Sequence, residues 1–254
     1  MKNLIRDQRK SITPFWLSSW MYFLKVKLGG GIVDARGSIA GNTFSRNHYG
    51  AYVRARTTPI NPNTARQVEV RASVAFLSDM WSSTLTLAQR TAWDLYGSSV
   101  SMQDKMGATM YLTGYNHFMR SNIIRKQIGI ALISAGPTTF ELPAQDPTFA
   151  ISCSEGTQLV ASSFDITMAW ALETGGYIVF FFGKPQNAQR NSFGGPWRQF
   201  AWVAGVDPGG PASPDSTIAP FAIAEGQHCW EYARILRADG RLSERFRADT
   251  FCAV

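Results

Sequence analysis

The chain has 254 residues, 45% of them hydrophobic and 13% aromatic, with a formal net charge of +7. That is ample apolar material for one large or two ordinary packed domains, and it excludes a disordered or fibrous chain. The charge is uneven: residues 1–140 carry 17 Lys and Arg against 6 Asp and Glu, net +11, whereas residues 141–254 carry 8 against 12, net −4. Such asymmetry suggests two modules, the basic one suited to an acidic protein surface or nucleic acid, or else a basic face that only aids solubility.

The N-terminal stretch MKNLIRDQRKSITPFWLSSWMYFLKVKLGGG has a basic start and an apolar core from Phe15 to Val26. That core is too short to span a bilayer, and Lys25 and Lys27 close it without a small-residue cleavage site. Its aromatic residues, Trp16 and Trp20 among them, read as a contact for another protein subunit, with a decayed signal or an interfacial helix as the other options. After the triple glycine, IVDARGSIAGNTFSRNHYGAYVRART reads as strands broken at Arg36-Gly37, Gly41-Asn42 and Tyr49-Gly50. In the last strand, alternation sets Tyr52, Arg54 and Arg56 on one face and Ala51, Val53 and Ala55 on the other. Phe44 and Arg46 are expected to join the cationic face across the turn.

Pro59 and Pro62 end the strand. Asn63 is the expected cap of a helix whose Val70, Val74, Leu77 and Trp81 recur at helical spacing. A second helix opens on the capping-box pattern Thr86 to Gln89, runs through Trp93 and Tyr96 and is expected to stop at Gly97. A loop then leads to a third helix around GYNHFMRSNIIRKQIGIAL, which offers Phe118, Ile123 or Ile124, and Ile128 to the same core. The segment SAGPTTFELPAQDP reads as a linker. Beyond it FAISCS, QLVASSF, DITMAWAL, GYIVFFFGKP, WRQFAWVAGV, CWEYARILRA and SERFRADTFCAV read as about seven short strands, as a β-sandwich requires. The expected class is therefore α+β. Residues 1–140 form a basic anchoring module with a β-arm and a small helical cluster, and residues 145–254 form an all-β immunoglobulin-like or fibronectin III-like sandwich.

The residues that would carry chemistry do not assemble into a pattern. Cys153, Cys229 and Cys252 form no CxxC pair and have no ligand spacing to His48, His117 or His228, so a metal centre is not expected. They read as buried small hydrophobes or as one inter-strand disulfide with at least one thiol left over. No nucleophile-elbow pattern surrounds a serine, and the carboxylates Asp7, Asp34, Glu69, Asp79, Asp94 and Asp104 are not paired for acid/base work. GGGIVDARG lacks the lysine of a phosphate-binding loop. No enzyme activity and no cofactor are expected. Trp197 and Trp202 in GGPWRQFAWV read as a contact platform or an inter-sheet plug.

Two resemblances add to this reading. Trp170 in ITMAWAL, the strand GYIVFFFGKP, and HCWEYARILRADGRLSE with Tyr232, Arg234 and Asp239-Gly240 resemble a fibronectin type III domain over residues 145 to 254, departing from it at DPGGPASPDSTIAP. Ser45-Arg46-Asn47, Gly50 to Arg56, Pro59 to Thr64, Leu85 to Tyr96 and Leu112 to Asn122 resemble a family of phage and prophage proteins of uncharacterised role, over residues 28 to 130. The first resemblance implies a sandwich used for spacing, display or protein contact. The second implies a virion component, and a chain in that role is expected to be homo-oligomeric or present in multiple copies on the particle.

The expected function is that of a non-enzymatic structural protein, of capsid decoration or cement type. Arg46, Tyr49, Tyr52, Arg54, Arg56, Trp16 and Trp20 would grip the acidic surface of a neighbouring subunit. A tail or neck component is the alternative within that class. A nucleic-acid-binding module, in which the same arginines neutralise phosphates and the tyrosines stack, is the alternative outside it. A membrane partner is not expected.

Overall fold

The computed structural model describes residues 24–25, 30, 34–48, 50–58, 60–103 and 107–254. The architecture is mixed α+β, mostly strand, with antiparallel sheets. The chain divides into two compact units, residues 1–63 and residues 64–254. The division thus falls between the arm and the helices, not at the expected boundary near residue 140.

The first unit is a four-stranded antiparallel sheet in the order β1-β4-β3-β2, built from β1 (Leu24–Lys25), β2 (Gly37–Ile39), β3 (Asn42–Asn47) and β4 (Gly50–Ala55). The expected breaks hold, since the strands begin at Gly37, Asn42 and Gly50. At the tip of the β3–β4 hairpin Asn47 pairs with Gly50. No described side chain of this unit is fully buried.

In the second unit α1 (Ala65–Asp79) leads through a π-helical turn (Met80–Thr84) to α2 (Leu87–Ser99), and a short hairpin of β5 (Ser101–Gln103) and β6 (Thr109–Tyr111) leads to α3 (Gly114–Ile128). The caps are written locally. Thr64, one residue after the expected Asn63, caps α1 in a capping box with Gln67, and Thr86 and Gln89 do the same for α2. Thr113 caps α3, which ends at Gly129 in the left-handed conformation that costs glycine least. Leu77, Trp93, Tyr96 and Phe118 pack the helical core, whereas Val74 stays exposed.

Gly97 does not stop α2. It lies inside the helix, where a Cβ would stand 2.5 Å from the Leu112 carbonyl oxygen; a Cβ on Gly114 would stand 2.4 Å from the Asp94 nitrogen. Both glycines are therefore the contact points of a close helix crossing, and packing overrides the local tendency to break.

The remaining strands form a two-layer sandwich. One sheet has the order β11-β8-β7, from β7 (Ala150–Ser154), β8 (Leu159–Ser163) and β11 (Asp215–Ile218). The other has the order β10-β9-β12-β13, from β9 (Tyr177–Gly183), β10 (Trp197–Ala204), β12 (His228–Leu236) and β13 (Phe246–Phe251). Phe149, Phe164, Trp170, Phe180, Ile235 and Phe246 fill one end of the interior, and Cys153, Val160, Phe182, Ile223, Cys229 and Cys252 fill the other.

Two expected strand assignments change. DITMAWAL forms consecutive turns, because the Asp165 carboxylate accepts from the Thr167 backbone N–H at 2.8 Å and from its hydroxyl at 2.7 Å. That local bonding competes with a ladder. Trp170 is nonetheless buried, against Phe164. The strand that takes the vacant place is DSTI, inside the stretch that departs from the fibronectin pattern; it pairs with β8.

The helices pack directly on the sandwich. Ile124 of α3 joins Val179 of β9 and Leu236 of β12 in one buried cluster, so β9 and β12 are covered on both faces. Continuous apolar runs such as YIVFFFG are what two-sided burial demands. Arg125 of α3 donates to the Arg237 carbonyl at 2.7 Å, and Arg120 reaches Glu244 at 3.5 Å. The turn at Gly240 lies against the Trp93 indole, 3.3 Å from where its Cβ would be.

The expected linker is a strap. Asn122 accepts from the Ile133 N–H at 2.8 Å and donates to the Ile133 carbonyl at 3.0 Å, while the Trp93 indole donates to the Ser134 carbonyl at 3.0 Å. Asp146, also buried, accepts from the Thr148 and Asp165 backbone N–H groups. A proline-rich, low-charge segment can be held this way because side chains satisfy the backbone groups that its irregular path leaves unpaired.

Candidate functional site

The arm sheet presents two unlike faces, and their composition follows from register. Ser45 pairs with Tyr52, Thr43 with Arg54, and Ser38 with Thr43. These residues share one face, where the Ser38 and Thr43 hydroxyls meet at 2.9 Å. Arg56, just past the strand end, continues that side, and its backbone N–H donates to the Gly41 carbonyl at 2.8 Å. The other face carries Phe44 opposite Val53, Arg46 opposite Ala51, and Ile39.

The expectation for Phe44 and Arg46 is therefore corrected. The register pairs even-numbered residues of β3 with odd-numbered residues of β4. Phe44 and Arg46 fall on the side opposite Tyr52 and Arg54, so the surface is one cationic-polar face and one apolar face bearing a single arginine. Of the seven interface residues, the structure sets Tyr52, Arg54 and Arg56 together and Arg46 across the sheet. Tyr49, Trp16 and Trp20 lie outside the described residues.

The electrostatics are simple. Arg46, Arg54 and Arg56 are exposed, and among the described residues none forms an ion pair. On the apolar face Phe44, Ala51 and Val53 are half-buried, and Ile39 is 72% exposed. A sheet with half-covered apolar residues and unpaired guanidiniums gains both burial and charge pairing from a partner.

The second unit holds no comparable chemistry at its motif positions. In LTLAQRTAWDLY and LTGYNHFMRSN, Thr86 and Thr113 are caps, Trp93, Tyr96 and Phe118 are core, Gly114 is the helix crossing and Asn122 holds the strap. His117 is buried against the Tyr96 ring at 4.9 Å. Burial, helped by the Arg120 charge, pushes its pKa down to about 4. Burial likewise pushes the Tyr96 phenol up to about 12.

Glu231, fully buried inside the sandwich, accepts from the Ser162 hydroxyl at 2.9 Å. Burial raises its pKa well above the usual carboxylate range, and the nearby Cys153 and Asp215 push the same way. The three cysteines are buried free thiols in one cluster. A hydrogen bond to Cys229, with burial, raises the Cys153 pKa.

Among the described residues no group of three or more His, Cys, Asp or Glu side chains is placed to hold a metal ion, and no helix is long and apolar enough to cross a membrane. His228 lies between Arg190 and Asp249, its ring nitrogens 2.8 Å from the Arg190 carbonyl and 2.7 Å from the Asp249 carboxylate. This fastens a loop to β13. The sequence offered no signal for Glu231, because a lone glutamate in a strand pattern reads as facing solvent. Comparison with family models and with curated proteins finds no match.

Proposed function

We propose that the chain is a non-enzymatic structural protein of a phage particle, of capsid decoration or cement type, which clamps neighbouring subunits with its N-terminal sheet. The observation that carries this reading is the contrast between the two units. Residues 64–254 bury a large aromatic and aliphatic core, whereas the described residues of 1–63 bury no side chain fully. An element that gains so little by folding on itself gains by covering a partner.

The two faces assign the contacts. Ile39, Phe44 and Val53 would be covered by apolar surface, and Arg54 and Arg56 would fork onto carboxylates of the neighbour. The sandwich, fibronectin III-like in this reading, supplies the rigid body. Two antiparallel sheets, β11-β8-β7 and β10-β9-β12-β13, packed face to face support that likeness, since a seven-strand antiparallel sandwich is what an immunoglobulin-like domain requires. The resemblance of residues 28 to 130 to phage proteins supports the setting, with a tail or neck position as the variant of it.

The test is the double substitution Arg54→Glu, Arg56→Glu. Both side chains are exposed and unpaired among the described residues, so thermal stability should stay within a few degrees, while incorporation into particles falls by about tenfold or more. Unchanged incorporation refutes the clamp. Tight, salt-sensitive binding of arbitrary DNA at physiological ionic strength, lost in the same variant, would assign the arm to nucleic acid instead.

A further inference from the structure

The sandwich has two outer faces, and they are treated differently. α3 packs on β9 and β12, whereas the outward residues of β7, β8 and β11 are all exposed or half-buried. The register identifies them. Ile151, Cys153 and Val160 point into the interior, so Ser152 faces outward beside Ala161, Ala161 beside Ser216, and Leu159 beside Ile218. Every outward residue of the three strands is Ala, Ser, Leu or Ile. Charged side chains ordinarily protect a solvent-facing sheet from association. This face has none, and its Ile218 is 71% exposed.

The surroundings of the face carry charge of one sign. Residues 127–183 and 199–233, which contain all three strands, hold nine Asp and Glu and no Lys or Arg. Glu155 directly follows β7 at the end of the face where Leu159 and Ile218 pair. Glu225 lies beside it, its backbone N–H donating to the Glu155 carboxylate at 3.0 Å. Both side chains are exposed, and among the described residues neither forms an ion pair, although Lys184 borders the same groove as Glu225.

The arm carries the complement. Residues 1–63 hold 10 Lys and Arg against 2 Asp and Glu, net +8. On its apolar face Phe44 pairs with Val53, and Arg46 stands one outward position further along β3. The sandwich face repeats this pattern with the sign reversed: the cross-strand pair Leu159 and Ile218, then Glu155. Laid face to face, the two sheets would bury both apolar pairs and bring Arg46 to the carboxylates of Glu155 and Glu225. Opposite charge also steers this encounter, while two acidic faces or two basic arms repel each other.

We infer that the β11-β8-β7 face of one copy receives the arm of a second copy, so that copies join head to tail. The inference rests on the clamp reading and names the neighbour that covers the apolar face; Arg54 and Arg56, on the other face of the arm, keep a separate contact. A head-to-tail contact propagates from copy to copy.

The test is sedimentation velocity of the purified full chain over a range of concentrations, with one variant in the arm, Arg46→Glu, and one on the sandwich, Ile218→Lys. The wild type should self-associate, more at high concentration and less at high salt. Each variant alone should associate about tenfold or more weakly. An equimolar mixture of the two should form a dimer and nothing larger, because it retains one intact arm and one intact face. Ser216→Lys, also at an exposed outward position, repeats the sandwich test if Ile218→Lys unfolds. The inference is overturned by a monomeric wild type, by association that survives either variant alone, or by a mixture that stays monomeric. Arg54→Glu, Arg56→Glu should associate like the wild type. A monomeric wild type whose incorporation into particles is still lost in that double variant would leave the clamp standing and remove only the second copy.

Discussion

Glu231 gives the sharpest stability prediction. Its carboxyl is fully buried, and only one oxygen has a partner, the Ser162 hydroxyl. Its folded pKa lies well above the ordinary value. Between the two, the folded chain keeps a proton that the unfolded chain has released, so stability is lost as pH rises through that interval. Within that interval the slope is about 1.4 kcal/mol per pH unit. Glu231→Gln keeps the shape and the acceptor for Ser162 but cannot ionise. Its advantage over the wild type should therefore be smallest near pH 4.5 and grow by that slope. For a chain of this size each such unit corresponds to roughly 3 to 6 °C in Tm. The assay is thermal unfolding of both proteins at a series of pH values. An unpartnered amide proton in the variant shifts its curve by a constant and cannot imitate a slope. Parallel curves for the two proteins would refute the reasoning.

His117 works in the opposite direction. Its folded pKa of about 4 lies below the unfolded value of 6.5. The unfolded imidazole takes up a proton first as pH falls, and stability drops from pH 6.5 towards 4 by up to about 3 kcal/mol. In Glu231→Gln this acid loss should appear without the opposing contribution of Glu231; His117→Asn should remove it. Gly114→Ala places a Cβ 2.4 Å from the Asp94 backbone and should cost about 3 kcal/mol or more by urea unfolding, since the α2–α3 crossing must open. Asn122→Ala leaves the Ile133 N–H and carbonyl without their side-chain partner and should cost about 2 to 4 kcal/mol, with increased proteolysis in the strap.

What was legible in the sequence was mostly local. Thr86 and Gln89 announce a helix start because both halves of the capping box lie within four residues. Asn63 and Thr64 are both cap-type residues, and adjacency alone does not choose between them. Gly97 reads as a stop until the crossing with Gly114, seventeen positions later, supplies a reason for a glycine inside a helix. DITMAWAL alternates like a strand, but the Asp165–Thr167 bonding closes it into turns. DSTI is four residues long and mostly polar, so pairing with β8 defines it more than its own composition does.

Long-range features were legible only where they change composition. The unbroken run YIVFFFG carries the signature of a strand covered on both faces, which is how the helices come to share one compact unit with the sandwich. At the candidate surface, alternation places Tyr52 and Arg54 together without further information. The side of Phe44 and Arg46 depends on the parity of one turn, and a single residue more in that turn would reverse it.

The most direct test of the clamp account is location. The chain carries a bulky C-terminal tag, and particles purified from the producing host are imaged by electron microscopy. The account predicts tag density repeating regularly over the head surface, and its loss when Arg54 and Arg56 are both replaced by Glu. Density confined to the tail or neck would contradict the decoration role, and particles without any tag density would contradict the virion assignment altogether.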